Sequence, residues 1–274
     1  MRVLHLSDLH FGPKNLPEQV DAIRAMIARE RFDVVAVSGD LTQRARPREF
    51  AKARAFLEEA ERTSRVIAVP GNHDCTWWRA PLVAPMSVLY AKWTKYMQRA
   101  TEPVLAADGA TFIGVATAHG ISVHSITRRP RDLSVIGDIR PEQIRRVAEV
   151  AGGAAGFRVV VMHHNPVAGQ ISQRFGFKRT VAASLLRQFG DAGVDVVLCG
   201  HDHQEAVHFI EHPMRSLLVV TAGTITTMSR GHRPTSFNVL TLEPSGITVE
   251  VRAWDADRRD FTAAQTERFE RRMG

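Results

Sequence analysis

The chain has 274 residues, of which 44% are hydrophobic and 24% charged. That mix excludes a disordered, collagenous or coiled-coil protein and provides for a sizeable core. Its 36 lysines and arginines against 29 aspartates and glutamates leave a formal charge of +7, which favours anionic partners without separating a nucleotide from a nucleic acid.

Short β-branched runs alternate with amphipathic helical patterns. Val3 to Leu6 reads as a strand, and Pro17 to Arg29 as a helix with proline at its first position and Val20, Ile23, Met26 and Ile27 on one face. Val34 to Val37 predicts the next strand, Pro47 to Glu59 a helix carrying Phe50, Ala53, Phe56 and Leu57, and Val66 to Val69 a third strand. Phe112 to Ala116, Val159 to Met162 and Val194 to Leu198 predict buried strands, and Pro141 to Val150 and Thr180 to Gly190 predict helices. After Gly200 the strand-like runs Ala206 to Ile210, Leu217 to Thr221, Phe237 to Leu242 and Ile247 to Val251 follow one another without a helix. An α/β first part and a strand-rich second part predict two packed sheets with helices outside. No repeat or linker forces a division, so residues 1–254 are expected to form a single domain. Residues 255–274 mix both charge signs and read as a solvated helix or tail.

Cys75 and Cys199 fit neither a disulfide framework nor a thiolate metal site. The N-terminal MRVLHLSDLHFG lacks the apolar stretch of a signal peptide, and no later run has the length of a membrane helix. The expectation is a soluble, cytoplasmic protein.

Polar residues collect where the strands end, the edge at which α/β folds bind ligands. The first strand runs into Asp8-Leu9-His10, the second into Gly39-Asp40 and the third into Gly71-Asn72-His73-Asp74. Later strands run into His163-His164-Asn165-Pro166 and Gly200-His201-Asp202-His203. One histidine at a strand end is ordinarily structural; a series of such ends in one chain is not. Asp, Asn and imidazole donors without thiolate suit Mn, Fe, Zn or Co. In an extended segment, Asp8-x-His10 and His201-x-His203 would each place two ligands on one face. The donors are too many for one ion with an open position and suit two ions bridged by a carboxylate, about 3.5–4 Å apart.

These motifs, in this order, resemble the calcineurin-like metallophosphoesterases over about residues 3 to 203. The resemblance implies a four-layer αββα sandwich of two mixed sheets flanked by helices. It implies one metal site from Asp8, His10, Asp40 and His203, and another from Asp40, Asn72, His163 and His201, with Asp40 bridging. It further implies two divalent ions (Mn or Fe favoured), a bridging hydroxide as nucleophile, His73 as the catalytic histidine at the leaving group and Asp74 as the acid orienting it. Gly39-Asp40-Leu41-Thr42 with Gly71-Asn72-His73-Asp74 is similar to bacterial class III cyclic-nucleotide phosphodiesterases and their glycerophosphodiester relatives. It departs from the protein serine/threonine phosphatases, whose second motif continues as Gly-Asp-x-Val-Asp-Arg-Gly. Many members of the similar branch read His-His-Pro-Pro where this chain has Asn165 before Pro166.

His119, His164 and Asn165 are candidates for touching substrate, although packing is the commoner fate of such neighbours. His119 and His124 lie in the loop from Ala118 to Arg131, whose Arg128, Arg129 and Arg131 suit a phosphate clamp or plain solvation. Trp77 and Trp78 would stack on a base or pack under a loop. Arg230, His232 and Arg233 would line the site mouth or a homodimer contact, whereas His5, His208 and His212 read as structural. The favoured substrate is a small anionic phosphodiester, with 3′,5′-cyclic nucleotides first. Hydrolysis of phospholipid-derived or nucleotide-sugar pyrophosphate substrates is the alternative, with Pro81 to Met97 as its lid. A nuclease is less favoured because no basic stripe with interleaved aromatics marks a nucleic-acid track. A non-catalytic scaffold is disfavoured because every ligand position is filled.

Overall fold

The computed structural model describes residues 1–76, 85–120, 135–167, 176–213, 215–229, 231 and 233–271. Trp77, Trp78, His124, Arg128, Arg129, Arg131, Arg230 and His232 lie outside the described residues.

Two sheets of six strands form the centre. In the first, β1 (Arg2–Leu6), β2 (Val34–Ser38) and β3 (Arg65–Val69) run parallel, linked by α1 (Pro17–Glu30) and α2 (Pro47–Ala60). A four-residue helix, α3 (Met86–Leu89), and a π-helical turn over Trp93–Met97 lead to the second sheet. Its strand order is β4 (Val104–Ala107), β5 (Ala110–Val115), β6 (Phe157–Met162), β7 (Val196–Cys199), β9 (Leu217–Thr221) and β8 (Ala206–Ile210). Helices α4 (Pro141–Gly152) and α5 (Arg179–Asp191) make its parallel crossovers. The chain then returns to the first sheet as β10 (Ser236–Glu243), β11 (Gly246–Asp255) and β12 (Asp260–Glu270), all antiparallel.

The two-residue period of the strands separates the layers. Val34 and Ala36 face Phe112, Val159, Val161 and Leu198 between the sheets. Val35 and Val37 face outward, onto Ile23, Ile27, Phe50 and Phe56 of α1 and α2. On the other side, Val147, Leu185 and Phe189 of α4 and α5 cover Ile113, Val160 and Val197. The fold is therefore the αββα sandwich of two mixed sheets that the residue pattern and the resemblance both implied. Among the described residues no helix is long and apolar enough to cross a membrane.

Two expectations need correction. Residues 260–270 form neither a solvated helix nor a tail but the edge strand β12, paired along β11 from Asp255↔Asp260 to Gly246↔Glu270. Its strand character was hidden because an edge strand buries little. Phe261 packs on Phe237 and Trp254 at ring distances of 4.7 and 5.1 Å, while residues 263–268 are exposed. In the segment from Pro81 to Met97, the described part is no lid: Leu89, Tyr90, Trp93 and Met97 are buried in the core with α2.

Candidate metal centre

The C-terminal ends of both sheets meet at one rim. The first sheet brings Asp8 and His10 after β1, Asp40 after β2 and Asn72 after β3; the second brings His163 after β6 and His201 and His203 after β7. The loop after β1 continues the pairing of its strand, with Asp8 N–H on the Gly39 carbonyl and His10 N–H on the Asp40 carbonyl. Asp8 (φ 53°), His10 (41°), Asp40 (51°), His201 (73°) and His203 (55°) all adopt the left-handed region. For residues with a Cβ this is uncommon and costs of order 1–3 kcal/mol where the surroundings enforce it. Left-handed turns, not an extended segment, thus aim the paired donors of Asp8-x-His10 and His201-x-His203. Close approach also requires glycine: a Cβ on Gly200 would sit 1.8 Å from Ser7 Oγ, and one on Gly71 2.1 Å from Asp40 Oδ1.

The donors fall into two sets. Asp8 Oδ1 lies 3.1 Å from His203 Nε2 and 3.5 Å from His10 Nε2, which is 3.7 Å from Asp40 Oδ2. In the other set, His163 Nε2 is 3.3 Å from Asp40 Oδ2 and 3.1 Å from Asn72 Oδ1, and His201 Nδ1 is 3.1 Å from Asn72 Oδ1. Ligand bonds of about 2.0–2.2 Å put neighbouring donor atoms roughly 3.0–3.5 Å apart, so both sets have the spacing of atoms that share an ion. Asp40 Oδ2 belongs to both, while its Oδ1 accepts the backbone N–H of His73 at 2.8 Å.

Three of the four donor imidazoles are oriented through their other nitrogen. His163, His10 and His203 donate Nδ1–H to the carbonyls of Ser38 (2.9 Å), Thr42 (3.3 Å) and Met228 (3.1 Å), leaving Nε2 toward the centre. Asp8 Oδ2 accepts Ser7 Oγ at 2.6 Å and the His201 N–H at 2.9 Å. Asp8 Oδ1 is buried and accepts no hydrogen bond among the described residues. Burial opposes the charge of Asp8 and Asp40, yet the surrounding histidines hold both carboxyls well below their ordinary range. Burial likewise lowers His163, but the Asp40 charge outweighs it and pushes the imidazole up to about 9. Two carboxylates with at most 1% exposure demand positive charge beside them. Two divalent ions would supply it and leave the imidazoles neutral, so the donor set fits such a pair.

His73 sits at this rim with its side chain half-buried, its ring 4.8 Å from that of His10. Its Nδ1 bonds the Gln43 carbonyl at 2.8 Å. Asp74 does not orient it. The Asp74 carboxylate turns away and accepts Leu41 N–H (3.0 Å), Thr42 N–H (2.7 Å), Thr42 Oγ1 (2.8 Å) and Gly71 N–H (3.0 Å). It is a staple between the second and third motif loops, although burial and the Asp40 charge push it up to about 6. Asp74→Ala would strand three buried N–H groups and is expected to lower stability by roughly 2–4 kcal/mol, measured by urea unfolding.

Among the described candidates for touching substrate, His119, His164 and Asn165 are all buried. Asn165 bridges loops, donating to Asp202 Oδ2 at 2.8 Å and accepting Val167 N–H at 2.9 Å. His164 is fully buried, with Nδ1 on Thr117 Oγ1 at 2.8 Å, and burial holds it well below the usual histidine range. His119 is buried with Nε2 on the Ala116 carbonyl at 3.1 Å, and burial lowers it too. Arg233 is paired with Glu205 at 2.8 Å. Sequence reasoning missed Ser7 and the carbonyls of Ser38, Gln43, Thr42 and Met228, because a backbone carbonyl leaves no mark in residue type.

No curated protein matches the chain. Its fold is similar to that of purple acid phosphatase PPD1 from yellow lupin (Lupinus luteus) seeds, at 12% identity and a TM-score of 0.71, covering 98% of this chain and 53% of that one. The chain thus spans about half the length of the lupin protein. It is also similar to GAP50, the anchor in the inner membrane complex of Plasmodium (14% identity, TM-score 0.62, covering 99% of this chain and 89% of that one). At such identities these likenesses show the fold alone. The model of the calcineurin-like phosphoesterases matches residues 1–205, a span that holds every donor of both sets. With the motif series, the two-sheet fold and the paired donor sets all in place, the chain belongs to the calcineurin-like phosphoesterase family.

Proposed function

We propose that the chain is a dinuclear metal-dependent phosphodiesterase acting on small anionic diesters, with Mn or Fe favoured and a 3′,5′-cyclic nucleotide as the first substrate to test. The observation that carries this reading is the meeting of two buried donor sets at Asp40 Oδ2. A bound ion pair lowers the pKa of water toward neutrality and offsets charge on the phosphoryl oxygens. Asp8, His10, Asp40 and His203 would hold one ion, and Asp40, Asn72, His163 and His201 the other. His73, its Nδ1 tied to the Gln43 carbonyl, keeps Nε2 for donating a proton to the leaving oxygen. The likeness to an anchor protein raises a non-catalytic reading, which the complete donor sets disfavour.

The diester preference rests on the Gly-Asp-Leu-Thr and Gly-Asn-His-Asp motifs and on charge. A dianionic monoester needs stronger positive clamping than the motif residues themselves provide. With Mn(II) supplied, a nitrophenyl diester is expected to be hydrolysed faster than the matching monoester. A panel adding 3′,5′- and 2′,3′-cyclic nucleotides, glycerophosphodiesters and single-stranded DNA tests the assignment. A monoester faster by an order of magnitude would move the protein to the phosphomonoesterases.

A further inference from the structure

The loop between β9 and β10 lies beyond the residues matched by the family, yet it reaches two ligands of the first donor set. Thr224 Oγ1 donates to the Asp8 carbonyl at 2.7 Å. Thr226 Oγ1 lies 3.0 Å from Thr224 Oγ1 and accepts Met228 N–H at 3.1 Å. The Met228 carbonyl in turn accepts Nδ1–H of His203 at 3.1 Å. Proton counting gives the chain a direction. Thr224 uses its single hydroxyl proton on Asp8, so Thr226 must be the donor between the two threonines. Both hydroxyl-bearing residues are buried, at 1% and 0% exposure, and have no bulk water to turn to. The path therefore runs from the His203 ring to the Asp8 backbone, and the side chains close it where Asp8 Oδ1 meets His203 Nε2 at 3.1 Å. Pairing of Asn15 with Thr226, and of Thr227 N–H with the Lys14 carbonyl at 3.1 Å, braces the loop against the segment that follows His10.

We infer that Thr226 is a positioning residue for the first ion. Its hydroxyl fixes the Met228 carbonyl that sets the tautomer and ring angle of His203, and it holds Thr224 on Asp8. The second donor set has a separate support in the Ser38 carbonyl on His163. The inference rests on the two-ion reading given above.

Thr226→Val keeps the side-chain shape and removes the hydroxyl. Metal-free wild type and variant are titrated with Mn(II) by calorimetry, with metal content measured in parallel. One of the two dissociation constants should weaken by about 10–100-fold, as loss of a ligand's orienting partner does, with the other unchanged. Thr226→Ser should restore the weakened constant, and the valine variant's kcat at saturating Mn(II) should return to the wild-type value while half-activation needs more metal. Two unchanged constants, or a joint fall that serine does not restore, would overturn the inference alone. Wild type binding fewer than two ions would overturn the two-ion reading and the inference with it. Should the valine variant fail to fold, Thr226→Ala is titrated against the same outcomes.

Discussion

Asp40→Ala is expected to abolish the proposed phosphodiesterase activity, by more than about 10³-fold, and to lower metal content at both proposed positions. Loss of a partner that merely orients a ligand costs about 10–100-fold in affinity or activity, and Asp40 is placed to ligate twice. Its Oδ2 faces His10 at 3.7 Å and His163 at 3.3 Å, one donor from each set. The His73 N–H that holds Oδ1 would also lose its acceptor. Asp40→Asn separates ligation from folding, because the amide keeps the shape and one oxygen but not the charge. It should retain the wild-type circular dichroism while binding less metal. Asn72→Ala, which touches only the second set, should disturb one ion. Metal analysis finding two ions per chain in Asp40→Ala, with activity intact, would refute the bridge.

His73→Ala is expected to keep metal content near wild type while losing about 10² to 10⁴ in rate on a cyclic nucleotide, the usual range for general acid catalysis. The geometry makes this separation feasible. The backbone N–H that holds Asp40 survives the substitution, and the His73 ring is tied to the Gln43 carbonyl. The rate loss should shrink on a nitrophenyl diester, whose leaving group needs little protonation, and be largest for a ribose oxygen. The spacing of His10, Asp40 and His73 would also admit a metal, so the same variant decides between the two roles. A loss of metal would make His73 a ligand. Equal rate losses on both substrates would make its role purely electrostatic.

The layers and the gathering of the candidate donor residues at one rim were legible in the sequence for the same reason: both are written in residue type at short range. Alternating β-branched runs bounded by Pro17 and Pro47 specify strands and helix starts. Donor residues directly after those runs can only lie at one edge of a parallel sheet, so the donor positions followed without coordinates. The strand β12 was not legible, because its polar residues need no burial once β11 supplies a hydrogen-bonding edge.

The sequence by itself determined which residues could hold ions and where along the chain they sit. Only the tertiary structure decided how they are held. Asp8, His10, Asp40, His201 and His203 reach left-handed conformations because contacts between distant loops enforce them, and no local pattern encodes that strain. Asp74 became a staple because Leu41, Thr42 and Gly71 bring four donors to it from two loops, which makes any role toward its neighbour His73 geometrically remote. The nitrogen that each of His10, His163 and His203 presents is chosen by a carbonyl many residues away. Those carbonyls belong to every residue alike, so their service to the site depends on the fold that carries them there.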